Sequence, residues 1–251
     1  MTAGPTHSSA TTDHHPPVAE RARTVAALPA ASLHCTGLGI SQLWGATTTR
    51  GGDVLLVVPA SGEVTTALAR SPVGDVPARL TVTDRAPFPL RHPVRALLQL
   101  SGWVTPVPDD DVARLVLDFA DSHPCDSLFD VGLSATLVRL DLAEVLLEEA
   151  GISSDVEPED FADARPDGVS AVERELMAAE RGPLDRLTRR VQQWAGRHDE
   201  VHLLGLDRFG IRYRVEGRSG CYDLRVPFAA PLPGPAAFAG ALGHLVACGP
   251  A

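Results

Sequence analysis

The chain has 251 residues, of which 44% are hydrophobic and 22% are charged, and all 22 basic residues are arginine. Because a Schiff-base enzyme and a P-loop both need a lysine side chain, the absence of lysine excludes both classes. The net charge of -10 argues against nonspecific binding to nucleic acid or to an anionic membrane surface. No apolar run approaches the roughly 18 residues of a membrane-spanning helix, and the N-terminus shows no export signal. We therefore expect a soluble, cytoplasmic protein.

The negative charge is concentrated in one segment. Residues 106–167 carry three arginines against seventeen acidic residues, whereas the regions before and after this segment each carry a small excess of arginine. A solvated acidic face is the simple interpretation, and the sequence identifies no other role for it. The four cysteines are far apart and show no metal-binding spacing, so we expect free thiols.

The N-terminal part of the chain is predicted to be rich in strands. Residues 1–19 contain almost nothing to bury, which predicts a disordered tail, and residues 20–28 have the apolar spacing of a short helix. Helices are also predicted at residues 63–70 and 109–122. Short apolar or alternating runs bounded by Gly and Pro predict strands at residues 31–36, 53–58, 78–83, 94–104 and 136–141. Residues 20–150 are therefore expected to form a β-barrel or a sandwich.

The C-terminal part follows a different pattern. Residues 151–168 are acidic and end in a Pro-Asp-Gly turn, which predicts a linker. In residues 169–251, a helix that restarts near Pro183 is followed by three alternating strands and a last helix at residues 236–246. The predicted fold class is therefore α+β, with a β-barrel-like domain followed by a small helix–three-stranded meander–helix domain.

Two arginines and one histidine are the candidate site residues. Arg79 and Arg95 lie on consecutive predicted strands, and guanidinium groups of this kind suit a flavin phosphate. The alternative is that both are surface arginines on the polar face of alternating strands. His244 lies on the apolar last helix, as either a haem-iron ligand or a packed residue. Nucleophile-elbow, dinucleotide-fingerprint and zinc-protease motifs are all missing, so we assign no catalytic residue and no metal site.

Three stretches of the sequence resemble a known family. They are LGLDRFGIRYRVEG…DLRVPFAAPL (residues 203–232), TLVRLDLAEVLLEEAG with VEPEDFADARPDG (residues 136–168) and VRALLQLSGWVTPVP (residues 94–108). These stretches are similar to FMN-binding split-barrel proteins related to pyridoxamine 5'-phosphate oxidase, and more closely to the HugZ-type haem-utilisation branch in its actinobacterial form. The resemblance implies a split barrel at residues 20–150, a small C-terminal domain of unknown function, and a homodimer formed across the barrel.

The chain departs from this family where the family binds its cofactors. Residues 61–75 lack the histidine and asparagine expected in a flavin-binding barrel. Residues 177–187 lack the histidines and the asparagine that open the C-terminal domain of HugZ-type proteins. The resemblance also implies a haem-ligating histidine near the C-terminus, and His244 occupies a comparable place.

Three functions follow as hypotheses. The first is a protein that binds haem or another tetrapyrrole, and either only binds it or also degrades it as HugZ-type enzymes do. The second is an FMN-dependent oxidoreductase similar to pyridoxamine 5'-phosphate oxidase. The third is a noncatalytic module that regulates a protein partner. The missing motifs favour the first and the third, and they leave open whether the chain is an enzyme.

Overall fold

The structure is a computed structural model that describes residues 15–218 and 220–248. Its first part comprises α1 (Val18–Ala26), β1 (Ala31–Cys35), β2 (Gly39–Ser41), β3 (Gly45–Thr48), β4 (Val54–Pro59), α2 (Glu63–Arg70), β5 (Val76–Arg85), β6 (Val94–Pro106), α3 (Asp109–Ser122), β7 (Ala135–Glu149), β8 (Ile152–Val156) and α4 (Pro158–Asp163). Its second part comprises α5 (Glu173–Ala179), α6 (Arg181–Gln192), β9 (Glu200–Asp207), β10 (Gly210–Gly217), β11 (Gly220–Pro227) and α7 (Phe238–Cys248). Among the described residues, no helix is both long enough and apolar enough to cross a membrane.

The first part is an open half-barrel made from an eight-stranded antiparallel sheet. Its strands follow the order β2-β1-β5-β6-β7-β4-β3, and β8 pairs with the second half of β7. Side chains of β5 and β6 alternate between buried and exposed, so one face of each strand packs into the core. The helices α1, α2 and α4 close that core with Val25, Val64 and Phe161.

The strand β4 is buried on both faces, which explains its unbroken apolar sequence. Leu56 and Val58 belong to the core of the half-barrel. Leu55 and Val57 point to the opposite side, where they pack with Phe119 of α3 in a second apolar cluster. The predicted helix at residues 109–122 therefore covers the outer face of the sheet.

The chain after residue 168 forms a small domain, which we call the C-terminal domain. In its three-stranded sheet each strand pairs antiparallel with the next. The helices α6 and α7 pack on one face, where Leu187, Tyr213 and Phe238 are fully buried. The structure thus confirms the predicted α+β class, a split β-barrel followed by a helix–three-stranded meander–helix domain. The helix α5 is an addition that the sequence pattern does not predict.

Two predicted irregular segments differ in the structure. Residues 1–14 of the predicted tail lie outside the described residues, but Val18 already begins α1. Residues 151–168, for which we predict a linker, instead contain β8, which pairs with the last five residues of β7, and α4, which buries Phe161 in the half-barrel core. The sequence pattern does not predict these elements, because Val156 and Phe161 are their only buried hydrophobic side chains and the other positions are largely polar or acidic.

Candidate functional site

The two arginines predicted as cofactor ligands lie at opposite ends of the β5–β6 strand pair. Arg79 is paired in register with Ser101, whereas Arg95 contacts Asp84 at the other end of β5. We call the end with Arg79 the open end, and the end with Arg95 the covered end, because the C-terminal domain packs over the latter. The two guanidinium groups do not form one phosphate-binding cluster, and their assignment to a cofactor stays a prediction.

Arg95 is fully engaged in protein contacts at the covered end. Its Nε and Nη2 donate to Asp84 Oδ1 at 2.9 and 2.6 Å, and its Nη1 and Nη2 donate to the Glu173 carboxylate at 2.9 and 2.7 Å. Nη1 also donates to the carbonyl oxygen of Leu204 at 3.1 Å. The side chain is only 7% exposed, and each of its nitrogens has a partner. Arg95 therefore joins β6 to the C-terminal domain.

Two further arginines extend this contact into a buried cluster across the domain junction. Arg21 of α1 donates to Asp84 at 2.5 Å and to Glu149 at 2.9 Å. Arg212 of β10 donates to the same Glu149 carboxylate. The junction cluster comprises Arg21, Asp84, Arg95, Glu149, Glu173 and Arg212. Its positive and negative charges are equal in number, which offsets the cost of removing them from water.

The arginines of the junction cluster favour the ionised form of Asp84 and Glu149. Burial alone raises the pKa of Asp84, but Arg21 and Arg95 outweigh burial and hold that pKa below its ordinary value. The pKa of Glu149 is also lowered against its own burial, by Arg21 and Arg212. Perturbed pKa values arise in structural ion-pair networks as well as in active sites. Because every carboxylate here is already paired, the junction cluster holds the two domains together.

The open end is a solvent-facing cleft of about 650 Å³. A row of polar side chains crosses it, each in register with the next: His34 of β1, Arg79 of β5, Ser101 of β6 and Glu144 of β7. Arg79 Nε donates to Ser101 Oγ at 3.3 Å. Trp103 lies two residues further along β6 and is 45% exposed. The cleft thus presents imidazole, guanidinium and indole groups to solvent.

Small residues form the floor of this cleft. Gly102 and Ala143 both line it, and a β-bulge leaves Ala143 without a register partner on β6. A Cβ atom at Gly102 would overlap the carbonyl oxygen of Asp141, so β6 and β7 approach closely at this point. Bulges are common beside binding sites, where they redirect a side chain.

The open-end cleft contains side chains that could hold haem, and its charged lining residues include Arg79 and Glu144. A histidine nitrogen is a ligand of haem iron, a guanidinium group pairs with a carboxylate such as a propionate, and an exposed indole packs on an aromatic ring. Among the described residues lining the cleft, Arg79 is the single cation, which is a poor match for a phosphate dianion. Sequence reasoning gave His34 no role, because its neighbours on the sheet are distant in the chain.

His244, the predicted haem ligand, lies on α7. Its side chain is exposed, whereas Leu242 and Leu245 beside it pack into the core of the C-terminal domain. It is not among the described residues that line the open-end cleft. The structure therefore does not bring it together with Arg79, and its role as a ligand stays a prediction.

Comparison with known proteins supports the fold. No family model matches the chain, and no curated protein is significantly similar to it. Among solved structures, it is similar to a heme-binding protein from Mycobacterium smegmatis, with 22% identity, coverage of 93% of this chain and 97% of that chain, and a TM-score of 0.60. A protein of unknown function from Agrobacterium tumefaciens str. C58 shares 19% identity over 91% of this chain and 94% of that chain, with a TM-score of 0.42. The first likeness spans both the half-barrel and the C-terminal domain, and it shows the fold alone.

Proposed function

We propose that the protein binds haem in the open-end cleft, with His34 as the axial ligand and Arg79 as the partner of a haem propionate. The observation that carries the proposal is the register pairing of these two residues on an exposed sheet surface. Neighbouring strands lie about 5 Å apart. His34 and Arg79 would therefore be near enough to each other to hold the iron and a propionate of the same haem.

Other features of the cleft support haem as the ligand. The exposed indole of Trp103 offers an aromatic surface to the porphyrin. The small residues Gly102 and Ala143 leave room for a flat ring. The similar structure from Mycobacterium smegmatis is that of a heme-binding protein. Because the cleft is open to solvent, we further propose that a second copy of the chain covers it in a homodimer.

Haem binding is favoured over FMN-dependent oxidation. The second predicted phosphate ligand, Arg95, already satisfies two carboxylates at the covered end. Residues 61–75 also lack the side chains expected in a flavin-binding barrel. Haem degradation is a further step of the same hypothesis, and loss of the Soret band on addition of a reductant in air would demonstrate it.

The test is a haemin titration of the full chain followed at the Soret band, with an FMN titration in parallel. We expect saturable haem binding that His34→Ala weakens by about tenfold or more, since one lost ligand bond exceeds the 1.4 kcal/mol that a factor of ten represents. Arg79→Gln should weaken it about twofold to fivefold through loss of an exposed ion pair. His244→Ala is the matched control and should retain the wild-type affinity.

Each contrary result has a definite meaning. Loss of affinity in His244→Ala but not in His34→Ala would move the ligand to α7 and overturn our assignment of the site. Tight FMN binding with no haem complex would replace haem by the oxidoreductase hypothesis. If neither ligand binds at micromolar concentration, the proposed function is wrong, and a regulatory role towards a protein partner becomes the hypothesis to pursue.

A further inference from the structure

A second cleft lies between the half-barrel and the C-terminal domain, separate from the open end. Its volume of about 530 Å³ falls in the range of small-molecule pockets, roughly 300–1,000 Å³. Phe88, in the loop before β6, forms one wall. Met177, Leu184 and Leu203, from α5, α6 and the edge strand β9, contribute an apolar floor. We call this cavity the α5–α6 cleft.

The consecutive helices α5 and α6 supply half of the lining. The lining residues of these helices recur at three- and four-residue spacing: Arg174, Met177, Ala178, Arg181, Leu184, Asp185 and Thr188. Arg174 of α5 and Arg181, the first residue of α6, both line the cleft. Asp185 is the third charged residue of this lining, which therefore has an excess of positive charge.

The two arginines of this cleft do not stabilise the fold through polar contacts with the described residues. Arg174 and Arg181 are exposed, and neither forms an ion pair or a hydrogen bond with any other residue that the structure describes. This contrasts with the junction cluster, where each arginine has a carboxylate partner. Two unpaired guanidinium groups beside an apolar floor match a ligand with a negative head and a hydrocarbon body.

A histidine also lines this cleft, but its buried nitrogen faces the protein's own carboxylates. The Nε2 atom of His202 of β9 lies 3.6 Å from Glu200 and 3.8 Å from Glu216, and it forms no hydrogen bond with the described residues. The ligand assignment therefore rests on the two arginines and the apolar floor.

We propose that the α5–α6 cleft binds an amphipathic carboxylate, with its hydrocarbon body on the apolar floor and its carboxylate between Arg174 and Arg181. A neutral amphiphile lacks the charge-assisted contact, and a small hydrophilic anion lacks the apolar contact, so both bind more weakly. The site is independent of the proposed haem site, because no residue lines both clefts.

The test is a calorimetric titration of the full chain with dodecanoate below its micelle concentration. We expect one saturable site, which the double variant Arg174→Gln/Arg181→Gln weakens by about tenfold or more. The matched control is Arg186→Gln/Arg189→Gln, which removes the same charge from exposed positions of α6 outside the cleft and should retain the wild-type affinity. Ala178→Phe should abolish binding, because it fills the cleft from an exposed position without changing the charge.

Two results would overturn the proposal. Equal weakening in the two double variants would show general attraction to a positive helix surface, and unchanged affinity in Ala178→Phe would place the ligand elsewhere. Circular dichroism and the urea midpoint identify any variant that misfolds, and the remaining variants then decide the question. Haemin affinity should stay unchanged in all of them. Its loss in Arg174→Gln/Arg181→Gln would place haem, itself an apolar ring with carboxylates, in this cavity and would overturn the assignment of two independent sites.

Discussion

The two ends of the β5–β6 strand pair use the same side chain in opposite ways. At the covered end, the guanidinium group of Arg95 is held by Asp84 and Glu173 and is almost completely removed from water. At the open end, Arg79 makes a single 3.3 Å hydrogen bond to Ser101 within the described structure and faces solvent. The difference arises from what the later chain packs over each end. In this protein, an arginine at the edge of the barrel is therefore accessible to a ligand only where the C-terminal domain does not pack over it.

The largest effect should come from removing the positive charge at the covered end. Arg95→Met leaves two buried carboxylates without their shared partner, which should lower the free energy of unfolding by about 3–5 kcal/mol. Urea denaturation followed by circular dichroism measures the change. A loss below about 1 kcal/mol would show that water or Arg21 replaces the missing charge, and the contrast between the two ends would then be much weaker.

Low pH should lower the stability of the protein through the buried carboxylates of the covered end. The pKa values of Asp84 and Glu149 lie below their ordinary values, so the folded state binds fewer protons than the unfolded state as pH falls. Their stabilisation is therefore fully present above the unfolded pKa values of about 4 and is lost as pH falls through the folded ones. We expect a flat urea midpoint near neutral pH and a decline below about pH 4. Asp84→Asn should be less stable at pH 7 and should show a shallower acid decline; an identical slope would contradict the assignment.

A moderate effect is expected from the floor of the open end. Gly102→Ala places a methyl group against the carbonyl oxygen of Asp141, and the resulting strain should cost about 1–3 kcal/mol. Gly243→Ala is the matched control, because a Cβ atom there meets nothing within 4 Å and alanine favours the helix. Thermal unfolding should show opposite shifts for the two variants. Equal shifts would mean that β6 and β7 can separate at the bulge.

The smallest effect should come from the exposed arginine. Arg79→Gln removes a solvent-facing side chain with one long hydrogen bond, so the free energy of unfolding should change by less than about 0.5 kcal/mol. The same urea experiment used for Arg95→Met provides the comparison. A large loss of stability would show that Arg79 supports the sheet, and its availability to a ligand would then be in doubt.

Local sequence patterns predicted most of the strands of the half-barrel. The alternation in residues 78–83 and 94–104 lies within β5 and β6, and the apolar run at residues 53–58 corresponds to β4 with an offset of one residue. The pattern underestimated the length of β7, because the predicted strand ends at residue 141 whereas β7 continues to Glu149. Its second half carries acidic residues that are tolerated because they face solvent or the junction cluster.

The candidate site was less accessible to sequence reasoning. The distinction between Arg79 and Arg95 depends on Glu173 and Leu204, which are remote from both in the chain. The pairing of His34 with Arg79 depends on β1 lying beside β5, a neighbourhood set by topology rather than by local spacing. A single sequence contains no direct signal for either contact, since the energies that create them arise only when distant segments pack.

The junction cluster also limits how freely the two domains can be recombined. Arg21 and Glu20 of α1 bind partners on both sides of the boundary, because Arg208 of the C-terminal domain donates to Glu20 and Arg212 shares Glu149 with Arg21. A chain divided after residue 168 would leave buried charges of both signs unmatched on each fragment. Grafting a different C-terminal domain onto this barrel would require arginines and a glutamate at the same three-dimensional positions. The two domains are thus expected to be inherited and exchanged as one module.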